Sequence, residues 1–236
     1  MNNFFLLNQK KIYNVYINRH RKLTQNQEKI LNSYGSLITI PYQEQVINFH
    51  HFFKNQKPLV LEIGFGMGHS LISQAINHPY INFIGIEVYL PGIASCSNLA
   101  ITLKVNNLRI IYYNAIQVMN LMIPDESLYK IQIFFPDPWP KTRHHKRRLV
   151  NIDFAQLIFR KLKFLGYLHI ATDSCSYAKH IISIMKSLHT SFNPIFYDPN
   201  ISSILRRPST KFEQKAKKLG YIIHDLIYQK LNLNLI

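Results

Sequence analysis

The chain has 236 residues, 47% of them hydrophobic, which suits one domain with a sizeable core and excludes global disorder. Its 28 Lys and Arg against 12 Asp and Glu give a formal charge of +16 and a pI near 9.8, an excess that suits a polyanion partner rather than a small neutral substrate. Two distant cysteines, Cys96 and Cys175, exclude a disulfide framework or a Cys-type zinc site, and the tandem pairs His50–His51 and His144–His145 diverge, so no metal is expected.

Residues 1–30 form a basic N-terminal arm ahead of a single domain over 31–236. No acid precedes Glu28, and Lys10, Lys11, Arg19, Arg21 and Lys22 are interleaved with Tyr13 and Tyr16. A solvated arm and an arm that orders on RNA fit equally well. The opening MNNFFLLNQKK holds too short an apolar run for a signal segment, and no stretch approaches the roughly 20 apolar residues of a membrane span. A cytoplasmic protein with no membrane contact is expected, as monomer or homodimer.

From Pro58 onward short apolar runs alternate with helical patterns. Leu59–Ile63 predicts a strand and the following stretch to Asn77 a helix; Ile81–Glu87 predicts a strand, and Pro91 opens a helix to about Val105. Leu108–Tyr112 and Ile131–Phe135 predict further strands. Asn151–Phe164 predicts a helix with Ile152, Ala155, Ile158, Phe159 and Leu162 on one stripe. Gly166–Thr172 predicts a strand, Tyr177–Leu188 a helix and Tyr221–Lys230 a closing extended segment. Repeated βα units predict an α/β fold with a doubly wound, mostly parallel sheet that binds ligand at the carboxyl ends of its strands.

The first strand runs into LEIGFGMGHSL, where Gly64, Gly66 and Gly68 allow a sharp turn and close backbone approach to a ligand. Dinucleotide sites use GxGxxG against a pyrophosphate. Here the spacing is E-x-G-x-G-x-G, with Glu62 beside the turn. A carboxylate there favours the sulfonium and ammonium of S-adenosylmethionine over a phosphate. Glu87, at the end of the second strand, is placed to accept the two hydroxyls of a ribose. Asn114 falls where an adenine-edge residue would sit, its amide oxygen accepting from the adenine amine; it serves equally well as a turn residue.

The fourth strand ends in FFPDPWPKTRHHKRR. Prolines on both sides of Asp137 stiffen the loop where it opens onto the cofactor. Trp139, the single Trp of the chain, is available to stack on a base or wall the pocket. Lys141, Arg143, Lys146, Arg147 and Arg148 follow with no acid before Asp153, a pattern suited to RNA phosphates.

The combination of PDPWPKTRHHKRR, LEIGFGMG, IGIEVYLPGI, ATDSCSYA and TKFEQKAKKLG closely resembles the bacterial tRNA (guanine-N7-)-methyltransferase family, from about Lys22 to Lys230. The resemblance implies a Rossmann-like class I methyltransferase with an antiparallel final strand, acting with S-adenosylmethionine on the variable-loop guanine at tRNA position 46. It implies that Glu62, Gly64, Gly66, Glu87, Asn114 and Asp137 hold the cofactor, with Asp137 also the catalytic acid. Lys141, Asp173, Thr210, Lys211, Phe212 and Glu213 match substrate positions. Arg143, His144, His145, Lys146, Arg147 and Arg148 match the tRNA-contacting segment. The chain departs from the family at Asn114 (usually Asp), at Lys215 and Ala216 (usually Arg-Gly) and at Tyr221 (usually His).

Guanine N7 carries a lone pair and no proton, so methyl transfer to it needs no general base. Asp137 is then expected to orient the guanine and stabilise the cationic product, with Asp173 and Glu213 accepting from the guanine N1–H and N2–H₂ edge. Two other readings stand beside this one: methylation of an exocyclic amine, against which PDPW lacks the double proline of such loops, and a non-catalytic RNA-binding protein on the same fold.

Overall fold

The structure is a computed structural model and describes residues 23–195 and 203–231. The basic residues expected to form an arm, Lys10 to Lys22, lie outside the described residues.

The apolar runs after Pro58 become five parallel strands: β1 Leu59–Ile63, β2 Asn82–Glu87, β3 Leu108–Tyr112, β4 Leu128–Phe134 and β5 Leu162–Thr172. With β6 Phe192–Ile195 and β7 His224–Lys230 they form a seven-stranded sheet in the order β3-β2-β1-β4-β5-β7-β6. The final strand β7 runs antiparallel to both of its neighbours. The strand order reverses between β1 and β4, the switch point at which open α/β sheets bind ligands.

Strands buried along their whole length, as β1 is, require cover on both faces. Helices α1 Gln25–Ile38, α3 His69–Asn77 and α4 Leu90–Thr102 supply one apolar layer, in which Leu71 and Ile93 join Val60, Phe83 and Ile110 of the sheet. Helices α2 His50–Phe53, α5 Ala115–Leu121, α6 Ile152–Lys161 and α7 Cys175–Ser187 supply the other, where Phe154, Ile158 and Ile181 join Leu61, Ile84, Ile133 and Ile170. Burying a side chain of this size stabilises by about 1.5–3 kcal/mol.

Helix starts follow side-chain chemistry. Thr24 and Gln27 form a reciprocal capping box at α1, and Asn151 accepts from the Phe154 N–H at 2.9 Å to open α6. Helix α1 runs continuously across residue 30, so residues 25–30 share the folded unit.

Several expected boundaries shift: β4 begins at Leu128 rather than Ile131, and α4 ends at Thr102 rather than Val105. The helix expected to reach Phe164 ends at Lys161, because Leu162 pairs with Leu128 and starts β5. Lys130 then pairs with Tyr167, so Lys163, Phe164 and Leu165 are looped out, with Leu165 left-handed at φ 58°. The closing strand begins at His224 rather than Tyr221; Tyr221 instead folds back and donates its N–H to the Ala216 carbonyl at 3.0 Å.

One sheet face turns polar towards β5. Glu62 lies opposite Gln132, and Gln132 opposite His169, so all three project to the same side, with Lys130 two residues below Gln132. Residues 203–218, including helix α8 Lys211–Lys218, lie over this region, and the buried Lys130 donates to the Ile204 carbonyl at 2.8 Å.

Candidate active site

The residues singled out in the sequence converge along one edge of the sheet. Gly64 follows β1, Glu87 ends β2, Asn114 follows β3, Asp137 follows β4 and Asp173 follows β5. By contrast, a cavity of about 430 Å³ sits at the amino ends of the strands, lined by Leu59, Asn82, Lys57 and Lys163 among others, and none of these acids reaches it.

The three turn glycines are all left-handed, at φ 74°, 58° and 82°, but they serve two purposes. A Cβ on Gly64 or Gly66 would enter open space. A Cβ on Gly68 would lie 2.6 Å from the Cys96 Cβ, so this glycine exists to let α3 start against α4. Gly92 completes the packing: its Cβ would fall 2.2 Å from the Gly66 carbonyl oxygen.

Glu87 fixes the turn. Its Oε2 accepts from the Gly66 N–H at 2.8 Å, and its Oε1 accepts from the Val88 and Tyr89 N–H groups at 2.7 and 3.0 Å. A carboxylate has about four acceptor sites, so one remains on Oε2, enough for a single ribose hydroxyl rather than the two expected. Burial raises the Glu87 carboxyl, against the lowering effect of these three donors.

Glu62 is only 2% exposed and ties β1 to its neighbours, accepting from Gln132 Nε2 at 2.6 Å and Gln74 Nε2 at 3.4 Å. Burial pushes its carboxyl up to about 7 despite Gln132 and the nearby Lys130. It therefore presents no open carboxylate to solvent.

Asn114 caps α5: its Oδ1 accepts from Ile116 N–H at 2.9 Å and Gln117 N–H at 3.2 Å. The backbone donors fix the amide's orientation. The oxygen expected to accept from an adenine amine is thus already occupied, and the remaining side-chain group is the Nδ2 donor. That expectation is corrected: Asn114 offers a nucleobase a donor, not an acceptor.

The loop after β4 is strained around Asp137. Phe135 and Trp139 are both left-handed, at φ 54° and 46°, and prolines 136 and 138 flank an exposed Asp137. Arg148 holds this shape. Its Nε donates to the Pro138 carbonyl at 2.9 Å, its Nη2 to Ser176 Oγ at 3.1 Å, and its guanidinium lies over the Tyr177 ring at 4.9 Å. Arg148 is buried, so its assignment to the RNA-contacting segment is corrected: it anchors the loop. His145 is half-buried, with Nε2 sealed from solvent and without a hydrogen-bond partner among the described residues, so it too is not an open RNA contact.

Lys141, Arg143, Lys146 and Arg147 are exposed along the 3-10 turn Thr142–Arg147 and its cap. One face of Trp139 is covered by Arg147 at 5.0 Å, with the His144 ring edge-on at 5.8 Å, so its capacity to stack on a base is reduced.

Of the late substrate positions, Lys211 and Phe212 are exposed, and Phe212 stacks near-parallel to Phe135 at 6.4 Å. Thr210 caps α8 by accepting from the Glu213 N–H at 3.1 Å. Glu213 is buried with both oxygens ion-paired, Oε2 to Arg207 and Oε1 to Lys217 at 2.5 Å. Its expected role as acceptor for the guanine edge is therefore corrected; in this geometry Asp173, half-buried at the end of β5, is the acid left for that edge. Arg207, which carries no motif of its own in the sequence, organises the segment. It makes a two-pronged pair with Asp225 and lies over the Phe134 and Phe135 rings at 5.7 and 5.5 Å.

Residues 56–226 match the family model described as "Putative methyltransferase". The tRNA (guanine-N(7)-)-methyltransferase of Buchnera aphidicola (subsp. Acyrthosiphon pisum, strain 5A) is 46% identical over 214 residues, covering 91% of this chain and 90% of that one. The protein of the same name from Pectobacterium atrosepticum is 40% identical, covering 92% and 90%. The chain belongs to the tRNA (guanine-N7-)-methyltransferase family. At the level of fold, a 16S rRNA methyltransferase, KamB, superposes with a TM-score of 0.54 at 10% identity, covering 78% of this chain and 93% of that one. An rRNA methylase from Streptococcus thermophilus gives 0.50 at 13% identity, covering 78% and 94%.

The strand-end geometry of this family member fits a nucleoside cofactor at two points and strains against it at one. The open space over Gly64 and Gly66 admits a ligand against bare backbone, and Glu87 keeps an acceptor site beside it. The Asn114 donor is the mismatch, since an adenine amine is itself a donor. Among the described residues no cluster of three or more His, Cys, Asp or Glu could hold a metal, and no helix is long and apolar enough to cross a membrane.

Proposed function

We propose that this protein transfers the methyl group of S-adenosylmethionine to N7 of guanine 46 in the variable loop of tRNA. The observation that carries this reading is the convergence, at one sheet edge, of the open Gly64–Gly66 cradle, Glu87 and the exposed Asp137, with the cations Lys141 to Arg147 directly beside them.

The cofactor, when bound, supplies an electrophilic methyl on a sulfonium. The residues of the chain do the rest. Gly64 and Gly66 admit the cofactor and Glu87 takes one ribose hydroxyl, while the buried Glu62 ties β1 to Gln132 and Gln74 beside the turn. Asp137 orients the guanine and stabilises the positive charge that appears as N7 is alkylated; no side chain needs to remove a proton from N7. Asp173 accepts from the Watson–Crick edge and selects guanine over adenine. Lys141, Lys211 and Phe212 line the entrance, and Arg143, Lys146 and Arg147 neutralise backbone phosphates. The sequence adds further positive charge suited to the same polyanion at Lys10, Lys11, Arg19, Arg21 and Lys22. Such an enzyme works in the cytoplasm, where its tRNA is.

The test is incubation of the protein with methyl-labelled cofactor and an unmodified tRNA transcript, followed by borohydride and aniline treatment. Strand scission at guanine 46 is expected. Label without scission would move the reaction to an amine or another position, and no label would remove the activity.

A further inference from the structure

Helix α8 turns Glu213 and Ala216 inward, and Lys211, Lys215 and Lys218 outward. The lysines stand at i, i+4 and i+7, so they form one stripe roughly 10 Å long on the side opposite the buried face. Glu213, the single acid of α8, is ion-paired with Arg207 and Lys217, and no acid or acceptor among the described residues pairs with the three lysines of the stripe. Like charges at these spacings destabilise an isolated helix by a few tenths of a kcal/mol each. A face serving solubility alone would gain from interspersed acids.

The stripe continues into an exposed, partly aromatic turn. Leu219, Tyr221 and Ile222 are all exposed, with Tyr221 held there by its N–H bond to the Ala216 carbonyl at 3.0 Å. Interleaved cations and stacking surfaces are what a nucleic-acid strand uses.

Its position matters most. The first turn of α8 abuts the strand ends through the Phe212–Phe135 stack, two residues from Asp137. The basic turn Thr142–Arg147 borders the same strand ends, but Arg148 ties it to α7, which covers one face of the sheet, whereas α8 lies over the other. A polyanion presenting a base to Asp137 therefore passes between two cationic surfaces.

We propose that Lys215 and Lys218, with Tyr221 beside them, form a second contact surface for the ribose-phosphate backbone of the tRNA, facing the Thr142–Arg147 surface across the reaction end. This rests on the tRNA reading above and extends it to residues outside the pocket. Affinity of the full-length protein for an unmodified tRNA transcript would be measured over a salt series for the wild type, Lys215→Ala/Lys218→Ala and Lys215→Arg/Lys218→Arg, with cofactor affinity by calorimetry alongside.

The double alanine variant should bind tRNA more weakly and flatten the plot of log K against log salt by about 1–2, roughly one for each phosphate no longer neutralised. The double arginine variant should keep the slope, and cofactor affinity should stay unchanged throughout. An alanine variant with wild-type slope and affinity would overturn the second surface while leaving the activity intact. A wild type that binds tRNA without methylating it would overturn the activity, and the slope would still decide the surface. A wild type that fails to bind tRNA would overturn both.

Discussion

Arg207 and Asp225 meet in a two-pronged ion pair, with Nε on Oδ1 at 2.7 Å and Nη2 on Oδ2 at 2.8 Å. Burial pushes the Asp225 carboxyl up, but the hydrogen bonds from His169 and Arg207 outweigh it and hold the group well below the usual carboxylate range. The third Arg207 nitrogen reaches Glu213, so one guanidinium pins the Thr210–Glu213 segment to β7 and to the aromatic end of β4. A lysine cannot reproduce this fork. Arg207→Lys should raise KM for tRNA while leaving cofactor affinity unchanged, and Arg207→Ala should also cost about 3 kcal/mol by leaving Glu213 buried and short of a partner. Steady-state kinetics and urea unfolding check both; an unchanged KM for tRNA would refute the positioning role.

The glycines of the cofactor turn should separate by what they do. Gly66→Ala places a methyl in open space at φ 58°, so it should cost about 1–2 kcal/mol of backbone strain and weaken cofactor binding tenfold or more. Gly68→Ala drives a methyl to 2.6 Å from the Cys96 Cβ, so it should destabilise the fold by about 1–3 kcal/mol in addition to strain. Calorimetry and denaturation on the two variants give opposite rankings if the division is right, and the same ranking if it is wrong.

Asn114 invites a gain of function. Asn114→Asp keeps an oxygen for the Ile116 and Gln117 N–H groups and turns the second group from donor to acceptor. The added charge also sits at the start of α5, worth about 0.3–1 kcal/mol. Cofactor affinity should rise severalfold and Tm should not fall. Asn114→Ala, which removes the cap, should cost about 1 kcal/mol. Tighter binding by Asn114 itself than by Asp would show that the donor finds a ring nitrogen instead.

Asp137 is held by its neighbours and holds nothing itself: Arg148 and the two left-handed aromatics fix the loop. Asp137→Ala should therefore leave Tm within a degree or two while lowering kcat for tRNA by about 10²-fold or more, the usual loss for a group that stabilises charge in the transition state. Single-turnover methyl transfer at saturating cofactor measures it. Near-normal turnover would transfer the role elsewhere.

The parallel strands are legible in the sequence because each is a short apolar run bounded by turn residues, and the site acids Glu87, Asp137 and Asp173 are legible because each lies at or within three residues of a strand's carboxyl end. Helix α5 is harder to see, being seven residues long and opened by Asn114, whose place after β3 suits a ligand contact equally well. Strand β6 is four residues long and contains Pro194. Helix α8 reads as a charge run until Glu213 and Ala216 are seen to face inward. The corrected roles share one cause. Arg148 and Glu213 look like solvated charges locally, and only partners brought close by folding, Ser176 for one and Arg207 for the other, reveal them as internal braces. Arg207 lies in a connecting segment and carries no local signal, since its partner Asp225 lies 18 residues away on β7.

The polar layer beneath the 203–218 segment should also shape the acid stability of the protein. His169 is buried; its Nε2–H donates to Asp225 Oδ1 at 2.8 Å, and its Nδ1 has no partner among the described residues. Burial lowers the imidazole to about 4, against the raising effect of the Asp225 hydrogen bond. An unfolded histidine titrates near 6.5, so between roughly pH 4 and pH 6.5 the unfolded chain binds a proton that the native state refuses. Stability from this residue is complete above about pH 6.5 and is lost as pH falls towards 4, by up to about 3 kcal/mol. Glu62 acts in the opposite direction: burial lifts its carboxyl to about 7, so its contribution falls as pH rises from about 4.5 to 7, and the wild-type curve is shallower than either alone. His169→Gln removes one of the two, since its amide still donates to Asp225 but does not titrate. Urea unfolding of both proteins at about pH 4.5 and about pH 6.5 should show the variant gaining on the wild type at the acid end by about 2 kcal/mol or more. A difference between the two proteins that stays constant with pH would mean that His169 is not the group being titrated.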